Sequence, residues 1–244
     1  MDALTISAAS GLRARMESLE MLANNLANSA TGGYKADREF YSLYVAPEAE
    51  DPLGASPDTL PVIERHWTDF NQGLLRATGN ALDLALTTRG FFSVQGPSGT
   101  LYTRNGNFRL SPAGVLTTAD GYPVRAVENR LIRSQSPAPL EVGPDGAVTQ
   151  SGAVLGRLEI VDFNRLDALV KQGQAYFRDL DPKVSRPRAA AAHIEQGKLE
   201  SSNISAAEGA VRLVSVMRQF EMLQKAIALG GEMNRRAVEE VARI

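Results

Sequence analysis

Apolar positions at the two ends of this chain recur at alternating spacings of three and four. The C-terminal row runs Leu213, Val216, Phe220, Leu223, Ile227, Gly230, Asn234, Ala237, Val241 and Ile244. A second row lies in the first 28 residues: Ala9, Leu12, Met16, Leu19, Ala23 and Leu26. Sustained three-four spacing predicts helices that bury one stripe against another helix. Residues 3–28 therefore read as a first helix about 40 Å long. Leu4, Leu22, Val214, Met217 and Met222 fall outside the two rows. They widen the apolar stripe beyond what one partner helix covers, so the ends predict a core completed by neighbouring chains.

Between the ends the periodicity changes. Asn28-Ser29-Ala30-Thr31-Gly32-Gly33 stops the first helix, because Asn and Gly accept left-handed turn conformations. Pro47, Pro52, Pro57 and Pro61 mark residues 46–61 as extended, and Val62 to Phe70 reads as a short strand. From Gly73 to about Phe177, short apolar runs alternate with turns such as Asn105-Gly106, Asp120-Gly121 and Asp145-Gly146. That texture predicts antiparallel strands. Residues 182–196, with two prolines and an alanine run, read as a linker. A last helix follows, with Ser202-Asn203 as its N-cap and Glu208 near its positive end.

The fold class expected is α+β. Long N- and C-terminal helices pair as a coiled-coil-like unit around a central antiparallel all-β domain. The expected organisation is an N-terminal assembly helix (1–35), an extended Pro-containing linker (36–72), a β domain (73–190) and a C-terminal assembly helix (191–244).

Composition narrows the function classes. Of 244 residues, 43% are hydrophobic and the formal net charge is −2, which gives no global attraction for nucleic acid. There is no cysteine, which excludes disulfides, thiolate metal sites and cysteine nucleophiles. The amphipathic start, interrupted by Arg13, Arg15, Glu17 and Glu20, does not read as a secretory signal, which leaves a soluble cytoplasmic protein or, as the alternative, export by a route without a cleaved signal peptide. His66 and His193 stand in unrelated contexts. No nucleophile elbow, phosphate loop, zinc-binding helix or EF-hand loop is present. No catalysis, cofactor, metal or small-molecule substrate is expected.

Several short blocks are specific. Ala23-Asn24-Asn25-Leu26-Ala27-Asn28 is followed by Thr31 and Gly33-Tyr34-Lys35. Gly73-Leu74-Leu75 precedes Thr78-Gly79-Asn80-Ala81-Leu82-Asp83-Leu84-Ala85-Leu86, and then Gly90-Phe91-Phe92-Ser93-Val94. Tyr102-Thr103-Arg104-Asn105-Gly106-Asn107-Phe108 and Gly121-Tyr122-Pro123-Val124 come next. Gly197-Lys198-Leu199-Glu200-Ser201-Ser202-Asn203-Ile204 and Arg218-Gln219-Phe220-Glu221 close the series. In this order they resemble the flagellar rod, hook and hook-associated axial proteins. The spellings Ser29-Ala30, Gly32-Gly33, Thr87-Thr88 and Ser205 depart from that pattern.

The resemblance implies a structural subunit of the bacterial flagellar basal-body rod, polymerising through its terminal helices into a torque-transmitting tube. It implies self and paralogous axial subunits and the flagellar export apparatus as partners. The alternatives are a hook or hook-associated subunit, or a monomeric β-domain binding module with a helical stalk. The assembly interface expected comprises Leu12, Met16, Leu19, Asn24, Asn25, Leu26, Asn28, Leu213, Val216, Phe220, Leu223, Ile227 and Val241. The β-domain signature comprises Asp83, Phe91, Phe92, Tyr102, Arg104, Asn105, Gly106 and Phe108. Tyr102 and Phe108 are expected to pair across a hairpin turned by Asn105-Gly106. Arg104 is expected either to reach a carboxylate such as Asp83 or to be solvated. Asp83, costly to bury alone, points outward or meets an arginine.

Asn24, Asn25 and Asn28 are poor helix formers that read as donors to backbone or to partner subunits. Asn25→Ala is expected to weaken assembly more than it weakens the β domain. Sedimentation alongside thermal melting checks this, and an equal loss of both would overturn it.

Overall fold

The computed structural model describes residues 3–45, 59–185, 187–191 and 193–241. The chain divides into two compact units. One takes residues 1–27, 37–69 and 205–244; the other takes 28–36 and 70–204. Described element by element, the fold mixes helix with antiparallel sheet.

The first unit holds helix α1 (Ala3–Ala27), strands β1 (Asp37–Val45) and β2 (Thr59–Thr68), and, after a short helix α2 (Pro182–Ser185) in the other unit, helix α3 (Ala206–Val241). α1 and α3 touch: a Cβ added at Gly11 would meet Leu223 Cδ1 at 3.6 Å. The most buried row of α1 is Gly11, Ala14, Ser18, Leu22 and Asn25. It is rotated by roughly a third of a turn from the apolar row predicted above. At Gly11 the space a side chain would take lies against Leu223, so this contact falls where hydrophobicity alone does not point.

Residues 36–72 are not simply an extended linker. β1 and β2 form an antiparallel ribbon in which Asp37 faces Thr68 and Val45 faces Thr59, with a register shift between Phe40 and Tyr41. Both strands of a two-stranded ribbon are edges, so Pro61, without an N–H, is tolerated in β2. Thr68 Oγ1 donates to Asp37 Oδ1 at 2.9 Å, and Arg38 Nε lies 2.8 Å from Asp69 Oδ2. The predicted extended stretch around Pro47, Pro52 and Pro57 lies outside the described residues.

The second unit is built on a six-stranded antiparallel sheet. Its order is Leu169–Gln172, Tyr176–Asp179, Gly99–Thr103, Phe91–Gly96, Ile160–Phe163, Pro187–Ala189. Period-two alternation in the Phe91–Gly96 strand feeds two cores. Phe92 and Val94 enter a larger core with Leu84, Leu86, Leu101, Phe108, Ile132 and Val148. Phe91 enters a second core with Phe163, Leu169 and Phe177. Smaller ladders pair Leu84–Leu86 with Ile194–Gln196 and Leu75–Ala77 with Lys198–Glu200.

The described residues within 182–196 thus include a helix and strands where the prolines and alanines suggest a linker. Ile194 is buried in the larger core, and Ser185 is buried at the end of α2. Pro187 opens an edge strand, where its missing donor costs nothing in the ladder.

The expected N-cap also moves. α3 starts at Ala206, and it is Ser205 Oγ that accepts from the Glu208 N–H at 3.4 Å. Ser205 and Glu208 thus stand at the spacing of a capping box. Asn203 is committed elsewhere. Ser205→Ala is expected to lower the stability of α3 by about 1 kcal/mol. The shift of the helical far-UV transition in urea measures it.

Candidate functional site

Four of the blocks quoted above, those holding Lys35, Gly73, Arg104 and Glu200, meet at one buried cluster in the second unit. The turn after α1 is closed by Thr31, whose N–H donates to Asn28 O at 3.0 Å and whose hydroxyl donates to Asn28 Oδ1 at 3.2 Å. The chain then passes Gly33, where φ is +68° and an added Cβ would lie 2.3 Å from Asn105 N. Only glycine fits that approach. It lets Gly33 N–H donate to Glu200 O at 2.8 Å and delivers Lys35 inward.

Lys35 is 0% exposed, Glu200 1% and Arg104 6%, so three ionised side chains leave water together. Lys35 Nζ donates to Glu200 Oε1 at 2.5 Å and to Asn71 O at 2.7 Å. Arg104 donates to Glu200 Oε2 at 3.3 Å and stacks over Phe91, 5.5 Å from the ring centre. The Gly73 N–H donates to Glu200 Oε1 at 3.1 Å. Burial pushes the Arg104 pKa down, and the adjacent Glu200 carboxylate pushes back. Two cations on one carboxylate supply the paired hydrogen bonds that a buried charge requires.

Asn203 extends the network. Its Oδ1 accepts from Ala36 N–H at 2.8 Å, and its Nδ2 donates to Asn71 O at 3.2 Å. Lys171 caps the same strand of contacts, donating to Lys35 O at 2.6 Å with its ammonium 4.3 Å from the Tyr34 ring. Segments 33–36, 71–73, 104 and 200–203 are thereby fixed to one another within the unit.

The expected partner of Arg104 is therefore corrected: it meets Glu200, not Asp83. Asp83 is buried, and its carboxylate accepts from Asn107 Nδ2 at 2.9 Å. Tyr102 and Phe108 do not face each other across a hairpin. Tyr102 faces Ser93 and Phe177 in the large sheet, and its ring stacks edge-on against Phe163 at 4.8 Å. Phe108 opens a strand against Leu116–Thr118 and meets Phe92 at 5.2 Å. Asn105 Oδ1 accepts from Asn107 N–H at 3.1 Å, a side-chain turn in place of a hairpin turn. Gly106 lies so close to the Leu84 carbonyl that a Cβ there would sit 1.7 Å from its oxygen.

Along the helices, Asn25 is buried and holds Asp37 in both directions. Its Nδ2 donates to Asp37 O at 2.7 Å, and its Oδ1 accepts from Asp37 N–H at 3.0 Å. Asn28 is buried, whereas Asn24 and Met16 are exposed. Leu12, Leu19, Leu26, Leu213, Phe220, Leu223 and Ile227 are half-buried, and Val216 is buried. Val241 ends α3, and its side chain is outside the described ones. The buried residues of α1 that hydrophobic spacing misses are Gly11, Ala14, Ser18 and Leu22. Among the described residues no group of three His, Asp or Glu side chains is placed to hold a metal, and no helix is long and apolar enough to cross a membrane.

Comparison with known proteins follows the same blocks. Residues 7–35 match the flagella basal body rod protein family, residues 85–150 the flagellar hook protein FlgE/F/G D1 domain, and residues 195–240 the flagellar basal body rod FlgEFG protein C-terminal family. The rod protein FlgF of Caulobacter vibrioides is 32% identical over 93% of this chain and 92% of its own length. The rod protein FlgG of Agrobacterium fabrum is 32% identical over 96% of this chain and 97% of its own. The chain belongs to the flagellar basal-body rod protein family. That family is structural rather than enzymatic and resides in the flagellar basal body. In this rod protein, Lys35, Arg104 and Glu200 each come from a different one of the blocks quoted above. In this chain these three blocks complete one another's charge.

Glu200→Ala leaves Lys35 and Arg104 buried without their carboxylate and is expected to destabilise the second unit by about 3–5 kcal/mol. The control Glu159→Ala, which breaks the more exposed Arg125 pair at 2.7 Å, should cost less than about 1 kcal/mol. Equilibrium urea unfolding followed by the tyrosine signal, to which Tyr34, Tyr102, Tyr122 and Tyr176 of the second unit contribute, compares them.

Proposed function

We propose that this rod subunit polymerises through its terminal helices, with α1 and α3 pairing as a coiled-coil-like unit whose outer surface is completed by neighbouring subunits. In this reading residues 1–35 and 191–244 are the assembly segments, and the β structure of 73–190 forms the outer layer of the tube. Among rod proteins the chain reads as most like FlgF, with FlgG next, and it reaches its place through the flagellar export apparatus.

The observation that carries the reading is the two-sidedness of α3. Leu213, Val216, Phe220, Leu223 and Ile227 share one side of the helix. At about 100° per residue, Val211, Met222, Leu229 and Met233 fall on the opposite side. Those four are 73%, 61%, 60% and 64% exposed. Each Leu- or Met-sized side chain withdrawn from water contributes about 1.5–3 kcal/mol, so this face favours association strongly. Leu12, Leu19, Asn25 and Asn28 on α1 and the turn after it support the inner contact.

The double variant Met222→Glu/Leu229→Glu separates assembly from folding. The isolated chain should keep its stability to within about 0.5 kcal/mol, because both positions are already exposed. Its incorporation into isolated hook–basal bodies, read by immunoblot, and swarming motility should both be lost. Incorporation at the wild-type level would overturn the proposal.

A further inference from the structure

Glu39 of β1 is a charged side chain held at 3% exposure within the helical unit. Ser18 of α1, which is fully buried, donates its hydroxyl to Glu39 Oε1 at 3.0 Å. Arg212 of α3 places a guanidinium nitrogen 3.6 Å from the same oxygen. One carboxylate on the ribbon is thus read by one polar group from each long helix. None of these three residues belongs to the family blocks quoted above.

Apolar rows specify register weakly. A row that repeats every seven residues is superimposed on itself by a seven-residue slide, which on α3 would bring Val216 or Gly230 to the place of Leu223. Such a slide moves the helix by about 10 Å. The apolar row would meet the apolar row again, but Arg212 would leave Glu39, and a buried carboxylate that loses its cation is strongly penalised. We propose that Glu39, through Ser18 and Arg212, is the positioning residue that sets the register of α1 against α3. This rests on the helix pairing proposed above.

The chain has no native cysteine, so introduced pairs report register cleanly. Gly11→Cys with Leu223→Cys marks the observed register. Gly11→Cys with Val216→Cys, and Gly11→Cys with Gly230→Cys, mark slides of one repeat. Each pair is placed in dilute full-length chain, oxidised, and scored for the intramolecular crosslink. The same pairs are then placed in a Ser18→Ala/Glu39→Met/Arg212→Met background. With Glu39 intact, the 11–223 crosslink should exceed either slipped pair by about tenfold, and in the apolar background the preference should fall to about twofold. If the apolar background loses its helical signal, Glu39→Gln alone is read, with a fall in the same direction expected. Retention of the full preference without Glu39 overturns the register role and leaves the pairing intact. Absence of the 11–223 crosslink with Glu39 intact overturns the pairing itself, and the register proposal with it.

Discussion

Glu200 is a carboxylate removed from water, and it is tolerable only because Lys35 and Arg104 are removed with it. Desolvating three charges is costly, and their mutual attraction offsets that cost only when the geometry is close and the remaining donors find acceptors. Here Lys35 and Glu200 find further partners, whereas the buried Arg104 Nε makes no hydrogen bond. Lys35 reaches the Asn71 carbonyl, and the Gly73 N–H reaches Glu200. The cluster stabilises one arrangement of the chain far better than near neighbours of it, because a small displacement strands a buried charge. Specificity, more than net stability, is what such a group contributes.

The backbone around the cluster is shaped to the same end. Gly33 and Gly106 sit where no side chain fits, one against Asn105 and the other against the Leu84 carbonyl. These approaches bring the turn after α1, the Asn105–Phe108 stretch and the Leu82–Leu84 stretch close enough to share hydrogen bonds. Asn105, Asn107 and Asp83 then satisfy the polar atoms that close approach leaves behind. Strand Phe91–Gly96 is the axis of the unit because its alternation feeds both cores, and Arg104 rests on one face of Phe91.

The helical unit solves a different problem. The buried row of α1 is small and polar, with Gly11, Ala14, Ser18 and Asn25 around Leu22. Hydrogen bonds to Asp37 and Glu39 take the place of bulky apolar packing there. α3 does the opposite and carries apolar side chains on two sides, one turned to water in the single chain. A subunit built this way is satisfied on one side by its own residues and unsatisfied on the other. That asymmetry is what an assembling rod protein needs and a self-sufficient monomer avoids.

The sequence by itself determined the local grammar and the family. Helix rows of period 3.6, strand alternation around Phe91–Val94, the stop at Asn28–Gly33 and the ordered blocks from Ala23 to Glu221 are all properties of neighbours along the chain. The tertiary structure decided the partners. Lys35 and Glu200 are 165 positions apart, and Arg104 and Glu200 are 96 apart, so no spacing rule joins them. Asp83 was the carboxylate close by in sequence, yet Glu200 is the one burial brought to Arg104. The same limit explains Tyr102 and Phe108, which Asn105-Gly106 would join in an isolated peptide and which two separate ladders pull apart. It explains why Ser205 and not Asn203 caps α3: Asn203 is drawn to Ala36 and Asn71. It explains the rotated stripe of α1, since close packing favours small residues that hydrophobicity does not mark. Local conformation follows from each residue's own steric and hydrogen-bonding preferences. Which buried charge meets which follows only from the cost of leaving one alone, and that cost is set when the whole chain has closed around it.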